Sequence, residues 1–343
     1  MLFRSVAAPD QEITAHDVER VIEAARAISL PADKKIMHVI PRDFKVDSQE
    51  GIKDPVGMTG VRLEAEVHII MGMNTSLRNL EKVINDLGLE VDGFVFAGLA
   101  SSGVVLSETE KELGTVVVDM GAGTTSLSAY VDGALQYSGS IPVGARHITQ
   151  DIALGCRISL DNAEKVKLLL SSAEHGEVKP QPGESKQELM KRRKQADSLD
   201  LNKHGIHESV DSLSKRTVVE GIMIPRMKEI FELIGQELEK HDVLDKVPAG
   251  LVLCGGGAET VGIVEVAKRT LNLPVRIGEP KEVQGLVSDI QGPAYAASIG
   301  LLEYGKDRGG STAATASLGS LFSGFDVKGL GDKVRDLIKS IMP

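Results

Sequence analysis

Asp119 is the residue in this chain with the most chemistry within its reach. It follows Val116-Val117-Val118, three β-branched residues that predict a buried strand. Met120, the Gly121-Ala122-Gly123 turn and the hydroxyls of Thr124 and Thr125 come next. A strand that stops in such a turn exposes backbone N–H groups that no side chain shields, and anionic oxygens bind there. A carboxylate at the strand tip can hold a hydrated Mg²⁺, which suits a nucleotide phosphate. No Lys follows the glycines, so this is not a P-loop, and the third Gly of a dinucleotide fingerprint is missing. The next run (Leu127, Ala129, Tyr130) alternates like a strand. The element is predicted to be a β-hairpin that grips phosphate; the plain alternative is a Gly-rich hairpin with no ligand.

A second motif of the same kind lies in the other half of the chain. Leu251-Val252-Leu253-Cys254 is an apolar strand that runs into Gly255, Gly256 and Gly257. A helix is predicted to follow from Glu259 to Leu271, with Val261, Val264 and Ala267 at helical spacing. Such glycines let backbone lie flat against a planar or phosphorylated ligand, and a helix N-terminus adds a favourable dipole. Between the two motifs, Glu164 and Lys167 stand three apart in a helical stretch and so share a face. They could hydrogen-bond a ribose or an adenine, or form a solvated surface pair.

Composition narrows the classes. At 343 residues the chain exceeds what one core usually organises, so two or more subdomains are expected. A net charge of −10 argues against non-specific nucleic-acid binding. Cys156 and Cys254 are far apart, in apolar surroundings and without metal-ligand spacing, and read as reduced core residues. No apolar run approaches the roughly 20 residues of a bilayer span, so membrane contact would be peripheral.

The elements that must position these residues fall into segments. Residues 13–72 read as an αββ-like unit: Thr14 and Asp17 form a capping box, Val18, Val21, Ile22, Ala25 and Ile28 an apolar stripe, and 35–40 and 62–70 strands. Residues 73–112 give a helix ended by Gly88, then an apolar stretch. Residues 113–150 carry the hairpin. Residues 151–247 are mostly helical, with a polar interruption around Lys191-Arg192-Arg193-Lys194 that reads as a solvated helix face or flexible insertion. A strong helical pattern resumes over 217–241. Residues 248–305 close the nucleotide half, residues 306–320 form a Gly/Ser/Ala/Thr linker, and 321–343 a short terminal segment. There Val327, Leu330, Val334, Leu337, Ile338 and Ile341 share one helical face, with Lys328, Lys333, Arg335 and Lys339 on the other. A tethered basic amphipathic helix suits an interfacial membrane anchor, or a helix docked on a partner or on its own core.

The order of hairpin, Glu-x-x-Lys helix and Gly-Gly-Gly turn resembles the second half of the actin-like ATPase fold, an α/β architecture. The run from Glu50 to Glu64 (Glu-Gly-Ile-Lys-Asp-Pro-Val-Gly-Met-Thr-Gly-Val-Arg-Leu-Glu), with Val67-His68-Ile69, Phe96–Ser102 and Val116–Thr125, is similar to the FtsA family of bacterial cell-division proteins. The similarity extends over about 12–305, and the terminal helix matches in kind. It implies that 13–72 is an inserted filament-contact subdomain, 73–112 the remainder of a first nucleotide-binding subdomain, and 113–150 with 248–305 a second. Residues 151–247 would receive the C-terminal tail of the tubulin-like FtsZ, with Arg226 and Lys228 as charge partners. Residues 1–12 then stand apart as a non-native or truncated start. Such proteins begin with strands and an Asp-x-Gly phosphate loop, which would precede Thr14, so the fold is expected to be N-terminally incomplete and its nucleotide affinity poor.

The resemblance further implies ATP and Mg²⁺ as cofactors. Asp119 would act on hydrated Mg²⁺, Gly121, Ala122, Gly123, Thr124 and Thr125 on phosphates, Glu164 and Lys167 on ribose or base, and Gly255, Gly256 and Gly257 would pass beneath adenosine. It implies a scaffold and not an enzyme: a filament on the cytoplasmic face of the membrane at the division site, anchoring the FtsZ ring and other divisome proteins. Related MreB filaments orient water with a Glu-Pro-x-Ala-Ala stretch; Ala97-Gly98-Leu99-Ala100-Ser101 offers a methyl group there, so hydrolysis is expected to be weak. A pilus-assembly scaffold or a chaperone-like ATPase of the same fold is the other reading.

The terminal segment yields a direct expectation. Binding to anionic vesicles depends on 327–342, with apolar burial and charge acting together. In a vesicle co-sedimentation assay Leu337→Glu weakens binding severely and high salt weakens it partly, whereas undiminished binding after deletion of 321–343 would rule the anchor out.

Overall fold

The computed structural model describes residues 2–5, 12–27, 30–172, 179–281 and 290–309. An N-terminal unit forms around a long antiparallel pair. Strand β1 (Leu2–Ser5), helix α1 (Ala15–Ala25) and strands β2 (Lys34–Val46), β3 (Gln49–Ile52) and β4 (Arg62–Met73) build a sheet in the order β1-β4-β2-β3 with a core shared with α1. The capping box is present: Thr14 Oγ1 accepts from the Asp17 N–H at 3.3 Å, and the Asp17 carboxylate accepts from the Thr14 N–H at 3.1 Å. Ile13, Val21, Phe44, Val46, Leu63 and Ala65 close the core. Register shifts after Ile36 and Pro41 let β2 pass through a proline that cannot donate to the ladder, so the strand runs on well beyond residue 40. The lower boundary also moves. Leu2–Ser5, within the segment that the sequence sets apart as a start, pair with Arg62–Ala65 in this sheet, and Glu12 forms an isolated bridge with Thr59.

Helices α2 (Asn74–Asp86), α3 (Ala97–Val105) and α4 (Glu108–Leu113) lead to the central sheet. Leu80, Val83 and Leu87 of the predicted α2 stripe are exposed, and α2 buries none of its residues in this unit. Strands β5 (Thr115–Met120), β6 (Thr125–Val131) and β7 (Ala134–Ile141) form an antiparallel meander. Helices α5 (Ala145–Cys156), α6 (Leu160–Ser172) and α7 (Lys186–Asp197) follow, then the short ribbon of β8 (Ser198–Asp200) and β9 (Ser212–Ser214). Helix α7 carries the basic run and buries no residue, the solvated face that its composition predicts.

The predicted helix 217–241 is assembled from α8 (Lys215–Val218), a π-helical turn over Val219–Met223 and α9 (Ile224–Lys240). Pro225 lacks the N–H that an α-helix would direct at the Gly221 carbonyl, and the wider turn just before it absorbs that loss. Strand β10 (Leu251–Cys254), helix α10 (Ile263–Leu271), strand β11 (Val275–Ile277) and helix α11 (Ala296–Gly309) complete the order. The sheet runs β11-β10-β5-β6-β7, with β10 and β11 parallel to β5 and its neighbour. β5 is buried on both faces: Val116, Val118 and Met120 share one core with Ile148, Val166 and Phe231, and Val117 shares another with Val105, Val252 and Ile299. A side chain at Gly300 would strike the Ala100 carbonyl, so α11 crosses α3 backbone to backbone.

The chain divides into two compact units, Met1–Leu301 and Leu302–Pro343. In the second, residues 302–309 are helical, so the first residues of the predicted linker are helix. The rest of the linker and the segment with Val327, Leu330, Val334, Leu337, Ile338 and Ile341 lie outside the described residues.

One ion pair ties α4 to the sheet edge. Arg276 on β11 donates from Nε and Nη2 to the two Glu110 carboxylate oxygens at 2.7 and 2.9 Å, and from Nη2 to the Val105 carbonyl at 2.8 Å. Burial would push the Glu110 carboxyl up, but the Arg276 guanidinium and the Ser107 N–H and hydroxyl outweigh it and hold it at about 2. A folded value below the ordinary 4.5 means stability that is present above that pH and lost as pH falls towards 2. Glu110→Gln is expected to cost roughly 1 kcal/mol at neutral pH, a few degrees in Tm. Thermal melts should show the difference shrinking from pH 6 to pH 3; a constant gap would show that the pair is not what Glu110 contributes.

Candidate functional site

The hairpin turn is held in place from behind. The register Asp119↔Ser126 and Met120↔Thr125 places the turn at 121–124, closed by the Gly121 N–H on the Thr124 carbonyl at 2.9 Å. The first N–H groups of α5 then bind the turn: Ala145 donates to the Gly121 carbonyl at 2.9 Å and Arg146 to the Ala122 carbonyl at 2.8 Å. Gly144 permits this approach, because a Cβ there would run into both carbonyls. With its carbonyls turned to α5, the turn leaves the N–H groups of Ala122, Gly123 and Thr124 without a backbone partner among the described residues. Ala122, Gly123 and Thr124 are exposed. Thr125 is a correction: it is fully buried and donates to the Val143 carbonyl at 2.7 Å, so it fastens β6 and does not face a ligand.

Asp119 is 8% exposed at the tip of β5. Ser101 Oγ on α3 donates to its Oδ2 at 2.6 Å. Burial pushes the Asp119 carboxyl up, and the Ser101 hydrogen bond opposes that. Cys254 is its register partner on β10; burial, then the nearby carboxylate, push the thiol well up, so it is an inert core residue as its context predicts. The chain passes Asp119 at Gly255, whose φ of +79° favours glycine and whose Cβ would meet Asp119 Oδ1 and the Met120 carbonyl. The segment after it is a second correction. Gly256–Glu259 form a 3-10 turn and α10 begins only at Ile263, so no α-helix N-terminus points from the glycines.

Glu164 and Lys167 form a real pair, 2.8 Å apart on α6, with Lys167 only 7% exposed. Thr149 on α5 joins them, donating to Glu164 Oε2 at 2.5 Å and accepting from Lys167 Nζ at 3.1 Å. Burial pushes Glu164 up, but the bonds from Lys167 and Thr149 prevail and lower it. A cleft of about 950 Å³ collects these parts; Ala122, Arg146, Glu164, Lys167, Gly256 and Gly257 line it. Asp119 and Gly255 do not line it. The structure thus brings the hairpin, the Glu-x-x-Lys pair and the triple glycine together across more than 130 residues of sequence.

Ser101, Thr149 and Arg146 escape sequence reasoning as site residues. The Ser101 hydroxyl is bonded to Asp119 and that of Ser102 to Tyr130 Oη at 2.7 Å. Thr149 sits on a different helix from its partners, with no spacing to betray it. The two charges proposed for a partner lie on α9, away from this cleft. Arg226 is engaged internally, by Asp151 on α5 at 2.6 and 3.0 Å and by Glu229 at 2.6 Å, and Lys228 lies exposed near Glu232 at 3.5 Å.

The neighbouring glycines offer a contrast. Gly255→Ala forces a side chain into Asp119 and strains a left-handed backbone, a cost of roughly 2 kcal/mol or more, whereas Gly256 has open space around it. Denaturant melts should therefore separate the two alanine variants clearly. Equal, small losses would mean that the Asp119 crossing tolerates a Cβ.

Comparison with known proteins bears on the family and the fold. Two family models match: the SHS2 domain inserted in FtsA over residues 4–71, and cell division protein FtsA over residues 116–300. The first begins inside the segment read as a separate start. Cell division protein FtsA of Pseudomonas aeruginosa is 35% identical over 323 residues, 94% of this chain and 73% of that protein. The same protein of Escherichia coli K12 is 36% identical over 87% of this chain and 69% of its own length, and that of Borreliella burgdorferi 38% identical over 86% and 67%. Among solved structures, a PilM-PilN type IV pilus biogenesis complex aligns with a TM-score of 0.54 at 16% identity, over 89% of this chain and 76% of that one. MreB5 of Spiroplasma citri bound to ADP aligns with a TM-score of 0.50 at 19% identity, over 71% and 69%. These two speak for the fold alone. Fold and sequence agree: this chain belongs to the FtsA family of cell-division proteins, built on the actin-like ATPase fold.

Proposed function

We propose that the chain is an ATP- and Mg²⁺-binding scaffold that assembles into filaments and holds FtsZ at the cytoplasmic face of the membrane at the division site. The observation that carries this reading is the cleft, where Ala122 of the unshielded hairpin turn, the Glu164–Lys167 pair and the glycines Gly256 and Gly257 meet. The N–H groups of Ala122, Gly123 and Thr124 would bind phosphate oxygens. Glu164 and Lys167 would take the ribose or base, and Gly256, with open space around it, leaves room for a flat ring. Among the described residues no three His, Cys, Asp or Glu side chains converge as metal ligands. A cation beside Asp119 would be held through water and phosphate, where it would offset the phosphate charge. The fold neighbour from Spiroplasma citri was solved with ADP and with AMPPNP, which supports a nucleotide in a cleft of this kind.

The scaffold reading rests on what α3 offers the far side of the phosphates. Hydrolysis needs a polar group that orients water, because an unoriented water attacks slowly. Ala97 is exposed but carries only a methyl group, Ala100 is buried, and the Ser101 and Ser102 hydroxyls are buried and bonded. Nucleotide would act by favouring one conformation through differential binding. For the FtsZ tail we favour the segment 151–247, where an acidic peptide would compete with Asp151 for Arg226. The tether 321–343 would supply the peripheral anchor.

Titration calorimetry with Mg-ATP tests the site. Asp119→Asn should weaken Mg-ATP by about tenfold, the weight of one charge-assisted contact, and abolish the advantage of Mg²⁺ over EDTA. Unchanged affinity would remove Asp119 from the cation site. Phosphate release at the median enzyme rate of about 10 s⁻¹ would contradict the scaffold reading.

A further inference from the structure

We infer that Thr149 is a positioning residue that turns the Glu164–Lys167 pair into a site for the cis-diol of a ribonucleotide, so that the cleft prefers ribonucleotides to 2′-deoxyribonucleotides. This rests on the reading of the cleft as a nucleotide site.

An exposed ion pair three residues apart on a helix holds no fixed geometry and contributes little. This one differs, because Lys167 is 7% exposed and Thr149 3%. A buried ammonium needs its charge matched and its protons bonded. One carboxylate oxygen, Glu164 Oε2, takes both the Lys167 ammonium at 2.8 Å and the Thr149 hydroxyl at 2.5 Å, while the hydroxyl oxygen accepts a second ammonium proton at 3.1 Å. A hydroxyl has a single proton, so the three groups lock in one sense: proton towards the carboxylate, lone pair towards the ammonium.

The closed triangle leaves two groups over. Glu164 Oε1 accepts none of these bonds, and the Glu164 side chain is 44% exposed where it lines the cleft. The third ammonium proton is also uncommitted within the triangle. An acceptor beside a donor is the complement of a vicinal diol, whose two hydroxyls can donate and accept in turn. The pair is neutral as a whole, so it selects by geometry and adds little attraction for phosphate. Thr149 also stands one helical turn after Ala145 and Arg146, whose N–H groups grip the hairpin. The same helix therefore sets the phosphate turn and the diol groups at a fixed spacing.

The test is titration calorimetry on the full chain with Mg-ATP, Mg-2′-deoxy-ATP and Mg-3′-deoxy-ATP, which avoids probes labelled on the ribose. The wild type should bind ATP about tenfold more tightly than either deoxy analogue, the weight of one hydrogen bond to a charged group. Thr149→Val should erase that preference while keeping the fold, and Thr149→Ser should restore it. Discrimination that persists in Thr149→Val would overturn the inference. So would a wild type that binds ATP and both deoxy analogues equally, an outcome that leaves the nucleotide reading standing. No binding of any nucleotide by the wild type would overturn both. Loss of the folded state in Thr149→Val and in the smaller Thr149→Ala, read by circular dichroism, would also overturn it, since Thr149 would then support the core and not the diol.

Discussion

A carboxylate buried at the tip of the central strand is the constraint on which the rest of the structure depends. Asp119 cannot leave the end of its strand, because β5 is covered on both faces and its register with β6 and β10 fixes where the strand ends. Burying a carboxylate is costly unless something bonds it. Ser101 does so from α3, and Gly255 keeps its own side of the carboxylate free of a side chain. Ser101 on α3 and Gly255 after β10, unrelated in sequence, are answers to one problem: one bonds the carboxylate that the sheet holds in place, and the other lets backbone pass beside it.

Much of this was legible in the residues. A β-branched run and an apolar run, each before glycines, marked β5 and β10, the capping box marked α1, and helical spacing marked α6 and α9. Pattern reaches that far because burial has a period of two or of 3.6, and those periods are local. Pattern also named Ala122, Glu164, Lys167, Gly256 and Gly257 among the residues that line the cleft.

The parts that stayed hidden are contacts between elements. Thr125 follows the glycines as closely as Thr124 does, but the alternation of the strand turns it inward to the Val143 carbonyl. The glycines after β10 satisfied a helix-start pattern, yet a 3-10 turn and Gly262 in a left-handed conformation delay α10. Thr149 looked like any half-polar helix residue, since its role depends on α5 and α6 packing side by side. The α2 stripe shows the opposite failure: its apolar spacing is sound, but spacing says which side wants cover and not what supplies it.

Helix α5 gathers these contacts on one rigid element. Its first N–H groups hold the hairpin, Thr149 on the next turn fixes the Glu164–Lys167 pair, and Asp151 binds Arg226 on α9 with two hydrogen bonds. At 1.5 Å per residue these three points lie within about 10 Å along the axis. A helix that short moves as one body, so a displacement that opens the hairpin also shifts the Glu164–Lys167 pair proposed for the ribose and the ion pair to α9. The coupling follows from covalent geometry and needs no special pathway. It places the charge on α9, the element proposed to meet a partner, in mechanical contact with the turn proposed to hold phosphate. Arg226 gives up its two bonds to Asp151 only if α5, α9 or a competing anion changes, and each of those events acts on the same 12-residue helix.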